Sequence, residues 1–181
     1  MDSPFMDSIV DRIAARGIGV ARFEFEYMAK QREDGVRRGP DRPAKLIARF
    51  EEALGLLGPP ERVVIGGKSM GGRIASMIAD AAGVAGVVCL GYPFHPPAKP
   101  ERLRIAHLET LRTPTMIVQG TRDPLGTPEE VDSYPLAPSI ELVWMPDGNH
   151  SFEPRKKSGR TLDDNLDAAV DAVVDFIRRR E

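Results

Sequence analysis

Three side chains in this sequence have the types and settings for acyl-transfer chemistry. Ser69 stands in Gly67-Lys68-Ser69-Met70-Gly71, directly after the β-branched run Val63-Val64-Ile65. It precedes residues 73–82, where Ile74, Met77 and Ile78 recur at helical spacing. Strand, tight turn and helix in that order would strain the serine backbone and lift its hydroxyl above the sheet edge. Gly67 and Gly71 are expected to flank it because a Cβ at either position would strike a neighbouring element. The helix starts at once, so the Met70 amide would face the point where an oxyanion forms.

A serine hydroxyl needs a base to take its proton and an acid to orient that base. Of the three histidines, His150 lies in Asp147-Gly148-Asn149-His150-Ser151-Phe152, a turn just past the last predicted strand, and is the expected base. His107 falls in a predicted helix and reads as a surface residue. His95, in a loop after a strand, is a candidate for lining the pocket, as Lys68 and Tyr27 are by position. Asp123, in Gly120-Thr121-Arg122-Asp123-Pro124, follows a strand and could fix the imidazole tautomer. Asp147 is the rival acid, although its nearness to His150 better suits turn formation. The scheme calls for no metal and no cofactor.

The elements that would position these groups can be read from the pattern. Ser3-Pro4 starts a helix with an apolar stripe of Phe5, Ile9 and Ile13, stopped by Gly17. Residues 18–25 read as a strand, 30–42 as a polar loop, and 43–57 as an amphipathic helix ended by Gly58-Pro59-Pro60. Beyond the serine helix come a strand at 87–92, a proline-rich loop at 93–100, a short helix at 103–111 and a strand at 115–119. A helical turn at 128–133, a strand at 140–145 and a terminal helix at 161–180 complete the chain. Strands alternating with helices imply a parallel sheet covered on both faces, whose ligands gather at the carboxyl ends of the strands.

Composition sets the remaining bounds. The 181 residues suit a single domain, with 41% hydrophobic and 29% charged residues. A net charge of −2 gives no electrostatic reason to expect nucleic acid or an anionic membrane as partner. One cysteine, Cys89, excludes a disulfide framework. No apolar run approaches a membrane span, and the first ten residues lack the regions of a signal peptide, so the expected setting is the cytoplasm. Oligomeric state stays open, a homodimer included.

The serine–aspartate–histidine order and the strings around it carry a resemblance. Arg22-Phe23-Glu24-Phe25-Glu26-Tyr27-Met28, Gly66-Gly67-Lys68-Ser69-Met70-Gly71-Gly72-Arg73, Gly91-Tyr92-Pro93-Phe94-His95-Pro96-Pro97, Gly120-Thr121-Arg122-Asp123 and Gly148-Asn149-His150-Ser151-Phe152 span almost the whole chain. The sequence resembles the α/β-hydrolases of the dienelactone-hydrolase-like kind. More closely, it is similar to the hydrolase-like domain shared by a testis-expressed protein and a regulatory subunit of the non-specific-lethal acetyltransferase complex. The resemblance implies an α/β fold: a three-layer α/β/α sandwich on a mostly parallel sheet, cap-less, with a Ser-Asp-His site. It supplies no settled substrate and leaves open a non-catalytic interaction domain on the same scaffold; the serine chemistry itself points to a small-molecule acyl ester or thioester. A phosphate-binding βαβ unit fits poorly, since Gly66-Gly67-Lys68-Ser69 lacks that motif's leading glycine and four-residue spacer.

One departure from the pattern is expected to matter. Relatives carry, before the first helix, a strand and a His-Gly-x-Gly loop that supplies the second oxyanion donor, whereas this chain opens at Met1-Asp2-Ser3-Pro4. The strand's place would be mid-sheet, between residues 18–25 and the serine strand. Either translation begins upstream of Met1, or residues 18–25 close up against the serine strand, or a second chain fills the gap. Without that donor the rate would fall about 10²- to 10³-fold, unless amides of residues 1–3 substitute.

Overall fold

A computed structural model of the chain describes residues 3–180. Its centre is a four-stranded parallel sheet in the order β1 (Val64–Lys68), β2 (Gly86–Leu90), β3 (Thr115–Gly120) and β4 (Ile140–Met145). Helices α1 (Pro4–Ala14) and α6 (Leu162–Arg178) cover one face; α3 (Pro43–Leu54), α4 (Met70–Ala82) and the short α5 (Pro128–Val131) cover the other. Strand alternation divides the core accordingly. Val87, Cys89 and Ile117 pack towards α3 and α4, whereas Val88, Leu90, Met116 and Val118 pack towards α1 and α6. This is the expected three-layer α/β sandwich.

Local chemistry explains the helices beside the site. The Ser3 hydroxyl accepts from the Met6 amide (3.2 Å) and Pro4 opens α1, whose Ile9 and Ile13 are buried. Arg12 reaches Asp163 and Asp167, and Arg16 reaches Asp171, so α1 is clasped along α6. Thr161 and Asp164 form a reciprocal cap that starts α6. No helix among the described residues is long and apolar enough to cross a membrane.

Three expectations about elements are corrected. Residues 18–25 are not a strand of the sheet: among the described residues β1 pairs with β2 alone, so closing up against β1 does not occur. Their alternation is satisfied by side chains instead. Phe23 and Phe25 lie 4.9 and 6.5 Å from the Phe50 ring of α3, and Arg49 donates to the Glu24 carbonyl. The polar stretch read as a loop from residue 30 contains the end of α2 (Glu26–Asp34), an exposed helix of good formers stopped by left-handed Gly35. Residues 103–111 form turns and no helix; Ile105, Leu108 and Leu111 are buried as loop residues.

Candidate active site

The four strand ends bring the chemistry-bearing residues to one rim. β1 ends at Lys68 and α4 begins at Met70, leaving Ser69 between them at φ 52°, ψ −112°. A non-glycine residue rarely adopts such a backbone, which is the strain expected of a serine on this turn. Gly67 permits it, because a Cβ there would come 2.9 Å from the Gly71 carbonyl carbon. The expectation for Gly71 is corrected: a Cβ on it meets nothing within 4 Å, and the crowded glycine is Gly72, against Gly67 O (2.7 Å) and Cys89 (3.0 Å). The first backbone bond into α4 is from Arg73 N–H to Ser69 O (3.1 Å), so the Met70 amide stands free ahead of the ladder.

Asp123 and His150 lie in contact. His150 Nδ1–H donates to Asp123 Oδ2 at 2.7 Å, and Asp123 is fully buried. Asp123 Oδ1 accepts from the Leu125 amide (3.0 Å), and Oδ2 accepts a second bond from Gln119 Nε2 (2.9 Å). Gln119, at the end of β3, also accepts the Tyr92 amide (2.7 Å) and donates to the Tyr92 carbonyl (3.2 Å). It ties the acid to the loop after β2. Asp147 does not compete for His150: it pairs with Arg155 and Arg122, and its φ of 53° is that of a turn residue.

The His150 turn lies beside Ser69 through two shared neighbours. The Ser69 amide donates to Leu90 O (2.9 Å), and a Cβ on the next residue, Gly91, would sit 3.2 Å from His150 Cε1 and Nδ1. From the other side, the Lys68 ammonium donates to the His150 carbonyl. No hydrogen bond joins the Ser69 hydroxyl to His150 among the described residues, and such a contact commonly closes only when substrate is bound. Asn165 of α6, fully buried, donates to the carbonyls of Pro146 (3.1 Å) and Phe152 (2.7 Å) and so brackets the turn.

The expected pocket residues have other neighbours. The Lys68 ammonium rests 4.5 Å from the Phe5 ring centre and 5.9 Å from that of Phe152, and burial lowers its pKa to about 8 against an opposing pull from Asp123. It underlies the His150 turn. Tyr27 stacks on Phe25 at 6.5 Å, and burial raises its phenol pKa. His95 is buried, with Nδ1 3.0 Å from Pro96 O and Nε2 3.5 Å from Glu130 Oε1, so it joins its loop to α5. His107 is corrected from a surface residue. Its Nε2 lies 2.9 Å from Ser76 Oγ, and burial, then the charge of Arg73, lowers its pKa to about 4.

Gln119 and Asn165 were not singled out from sequence. The available signal was an amide closing an apolar strand and another on the buried stripe of a helix. Met1 and Asp2, where stand-in oxyanion amides were expected, lie outside the described residues. Among the described residues no group of three or more His, Cys, Asp or Glu side chains is placed to hold a metal ion.

Solved structures with this architecture include an alpha-beta serine hydrolase homologue from Coxiella burnetii (TM-score 0.69, 20% identity, 93% of this chain and 75% of that one). The esterase domain of a Rhodothermus marinus protein superposes with TM-score 0.65 at 17% identity, over 97% of this chain and 79% of that one. An esterase from Pyrococcus furiosus gives TM-score 0.66 at 17% identity, over 96% and 74%. At these identities the likeness establishes the fold. The family model described as alpha/beta hydrolase domain matches residues 1–178, and the chain belongs to that family.

Proposed function

We propose that the chain is a serine hydrolase of esters or thioesters. The observation that carries this reading is the 2.7 Å bond between His150 Nδ1 and a buried Asp123, beside a serine held at φ 52°. With Nδ1–H engaged, Nε2 is the free basic nitrogen. It takes the Ser69 proton as the hydroxyl oxygen attacks the acyl carbon, and the Met70 amide receives the developing oxyanion. The imidazolium, steadied by Asp123, returns the proton to the departing alkoxide or thiolate. Water, deprotonated by the same nitrogen, then releases the acid from the acyl-enzyme. Met70 is the oxyanion donor assigned among the described residues. The lone buried thiol of Cys89 suits a cytoplasmic setting.

The test is labelling of folded protein by a fluorophosphonate probe, with Ser69→Ala as the blank, followed by turnover of a simple aryl ester. Labelling of the native chain alone supports the reading; an unlabelled native chain removes it. A second reading, an interaction domain on the hydrolase scaffold, is favoured by the edge of β1, where Gly66 is exposed and, among the described residues, only β2 pairs. Turnover abolished by Ser69→Ala would dispose of that alternative.

A further inference from the structure

His95 is buried between two acceptors. Its Nδ1 lies 3.0 Å from the Pro96 carbonyl and its Nε2 lies 3.5 Å from Glu130 Oε1. A carbonyl only accepts, so Nδ1 carries a hydrogen. Nε2 is buried with no hydrogen-bond partner among the described residues, and the Glu130 carboxylate faces it. A neutral ring protonated on Nδ1 would turn a bare lone pair towards that carboxylate. The other tautomer would turn one towards the Pro96 carbonyl. The imidazolium alone, with a hydrogen on each nitrogen, presents a donor to both. The Thr127 amide first, and then the charge of His95 against the cost of burial, hold the Glu130 carboxyl below its ordinary range. Burial, then the charge of Glu130, raises the pKa of the Tyr134 phenol, so this neighbour stays neutral.

The pair joins the two segments that flank the acid and the base. Glu130 Oε2 accepts the Thr127 amide (2.8 Å), so one carboxylate holds the start of α5 with one oxygen and faces His95 with the other. Thr127 ends the loop that begins at Asp123, in which Gly126 N–H donates to Asp123 O (3.2 Å) and Leu125 N–H to Asp123 Oδ1 (3.0 Å). His95 lies in the loop that begins at Gly91, where an added Cβ would sit 3.2 Å from the His150 ring. Phe94, next to His95, closes on the Asp123 loop: a Cβ on Gly126 would come 2.4 Å from Phe94 Cδ2. Gln119 ties the two loops together next to the strands, at Tyr92 and Asp123. His95 and Glu130 tie them again farther along.

We propose that His95 is a positioning residue: held as an imidazolium, it clamps the loop after β2 to α5 through Glu130 and so fixes the Asp123 carboxylate that orients His150. The effect on turnover rests on the hydrolase reading above; the clamp and its effect on the His150 ring do not.

The test uses the full chain with 15N in its histidine rings, the three residues being assigned by difference with His107→Gln and His150→Gln. Glu130→Gln is the informative variant, because a glutamine oxygen still accepts the Thr127 amide and keeps the cap while the charge is gone. Native His95 should show two protonated ring nitrogens at pH 7, and only one in Glu130→Gln. The His150 ring, in its neutral form, should be held as the Nδ1–H tautomer in the native protein and drift towards the Nε2–H tautomer in Glu130→Gln and His95→Gln. A capping or packing role alone would leave that ring unchanged. In turnover of an aryl ester each variant should lose about 10- to 100-fold in kcat with KM little changed. The double variant should be no slower than either single one, as a shared contact requires. Thermal melts identify a His95→Gln protein that fails to fold, and Glu130→Gln then decides. A neutral His95 in the native protein, an unmoved His150 tautomer in Glu130→Gln, or losses that add in the double variant overturn the proposal. Native protein that a fluorophosphonate leaves unlabelled removes the hydrolase reading, and the ring nitrogens then judge the clamp alone.

Discussion

Replacing Lys68 by methionine should separate stability from activity. The ammonium donates to the His150 carbonyl and rests on Phe5 and Phe152. Burial takes its pKa from 10.5 to about 8, which at 1.4 kcal/mol per tenfold means that holding the charge in place costs about 3 kcal/mol. Methionine keeps the stem between the rings, removes that cost and leaves the His150 carbonyl short of one donor, a loss of about 1–3 kcal/mol. The two effects nearly cancel at pH 7, so the melting temperature should move by no more than a few degrees. Activity has no such compensation. A base whose main chain is free to drift by about 1 Å loses on the order of 10²-fold in rate. Because the folded pKa lies below the unfolded one, the unfolded chain binds more protons between pH 8 and 10.5. Native stability therefore carries a contribution that rises with pH across that window, while kcat/KM falls as the ammonium is lost near pH 8. Lys68→Met should show neither slope. Urea midpoints and initial rates against pH measure both; full kcat with an unchanged pH profile, or a melt many degrees lower at pH 7, would refute the argument.

Three other perturbations follow from the same geometry. Gly91→Ala forces a side chain into φ +67° with its Cβ 2.9 Å from His150 O, so it should cost about 1–2 kcal/mol in backbone strain and displace the base, lowering kcat about 100-fold; equal activity in a folded variant would contradict this. Gln119→Glu places a second carboxylate where an amide donates at 2.9 Å to Asp123 Oδ2. Two such acids cannot both ionise, so the acid limb of the pH–rate profile should move up by about 1–3 pH units, and an unmoved limb would sink the assignment. His107, held at about 4 against the ordinary 6.5, binds its proton less readily folded than unfolded. Native stability should therefore fall as pH drops from 6.5 towards 4, and His107→Gln should flatten that slope in chemical denaturation; parallel slopes would exclude it.

The sites that sequence made legible are those where local chemistry announces itself. Ser69, Asp123 and His150 each follow a strand within a few residues, and parallel strands must present those ends on one rim. The misread segments are those decided by partners distant in sequence. Residues 18–25 alternate as a strand does, yet Phe50, 25 residues beyond Phe25, supplies the burial and β1 does not pair with them. Ile105, Leu108 and Leu111 have helical spacing, but each is buried by tertiary contacts made from turns. His107 followed that error to the surface. Lys68 was read from its place beside Ser69, and its place is right; the direction of its side chain, towards the His150 carbonyl, depends on where β4 delivers the turn. Asn165 and Gln119 look like ordinary amides until the carbonyls they satisfy are known.

These supports share a property that bears on catalysis: none depends on Ser69. The His150 ring is fixed by Asp123, which Gln119 holds from β3; its carbonyl is fixed by Lys68 from β1; its turn is bracketed by Asn165 from α6, and Arg122 N–H donates to Gly148 O at 2.8 Å. The serine is placed separately, by β1, by Leu90 O and by the start of α4. On the proposed hydrolase reading, imidazole and hydroxyl are thus ordered by folding along routes that share only β1, and the contact between them is left for substrate to close. Freezing both partners in advance removes most of the entropy that bringing them together would otherwise cost. It also explains why the costs gather here, in a serine at φ 52° and a buried ammonium: each is a local penalty that the packed sheet and its helices outweigh in exchange for fixed geometry.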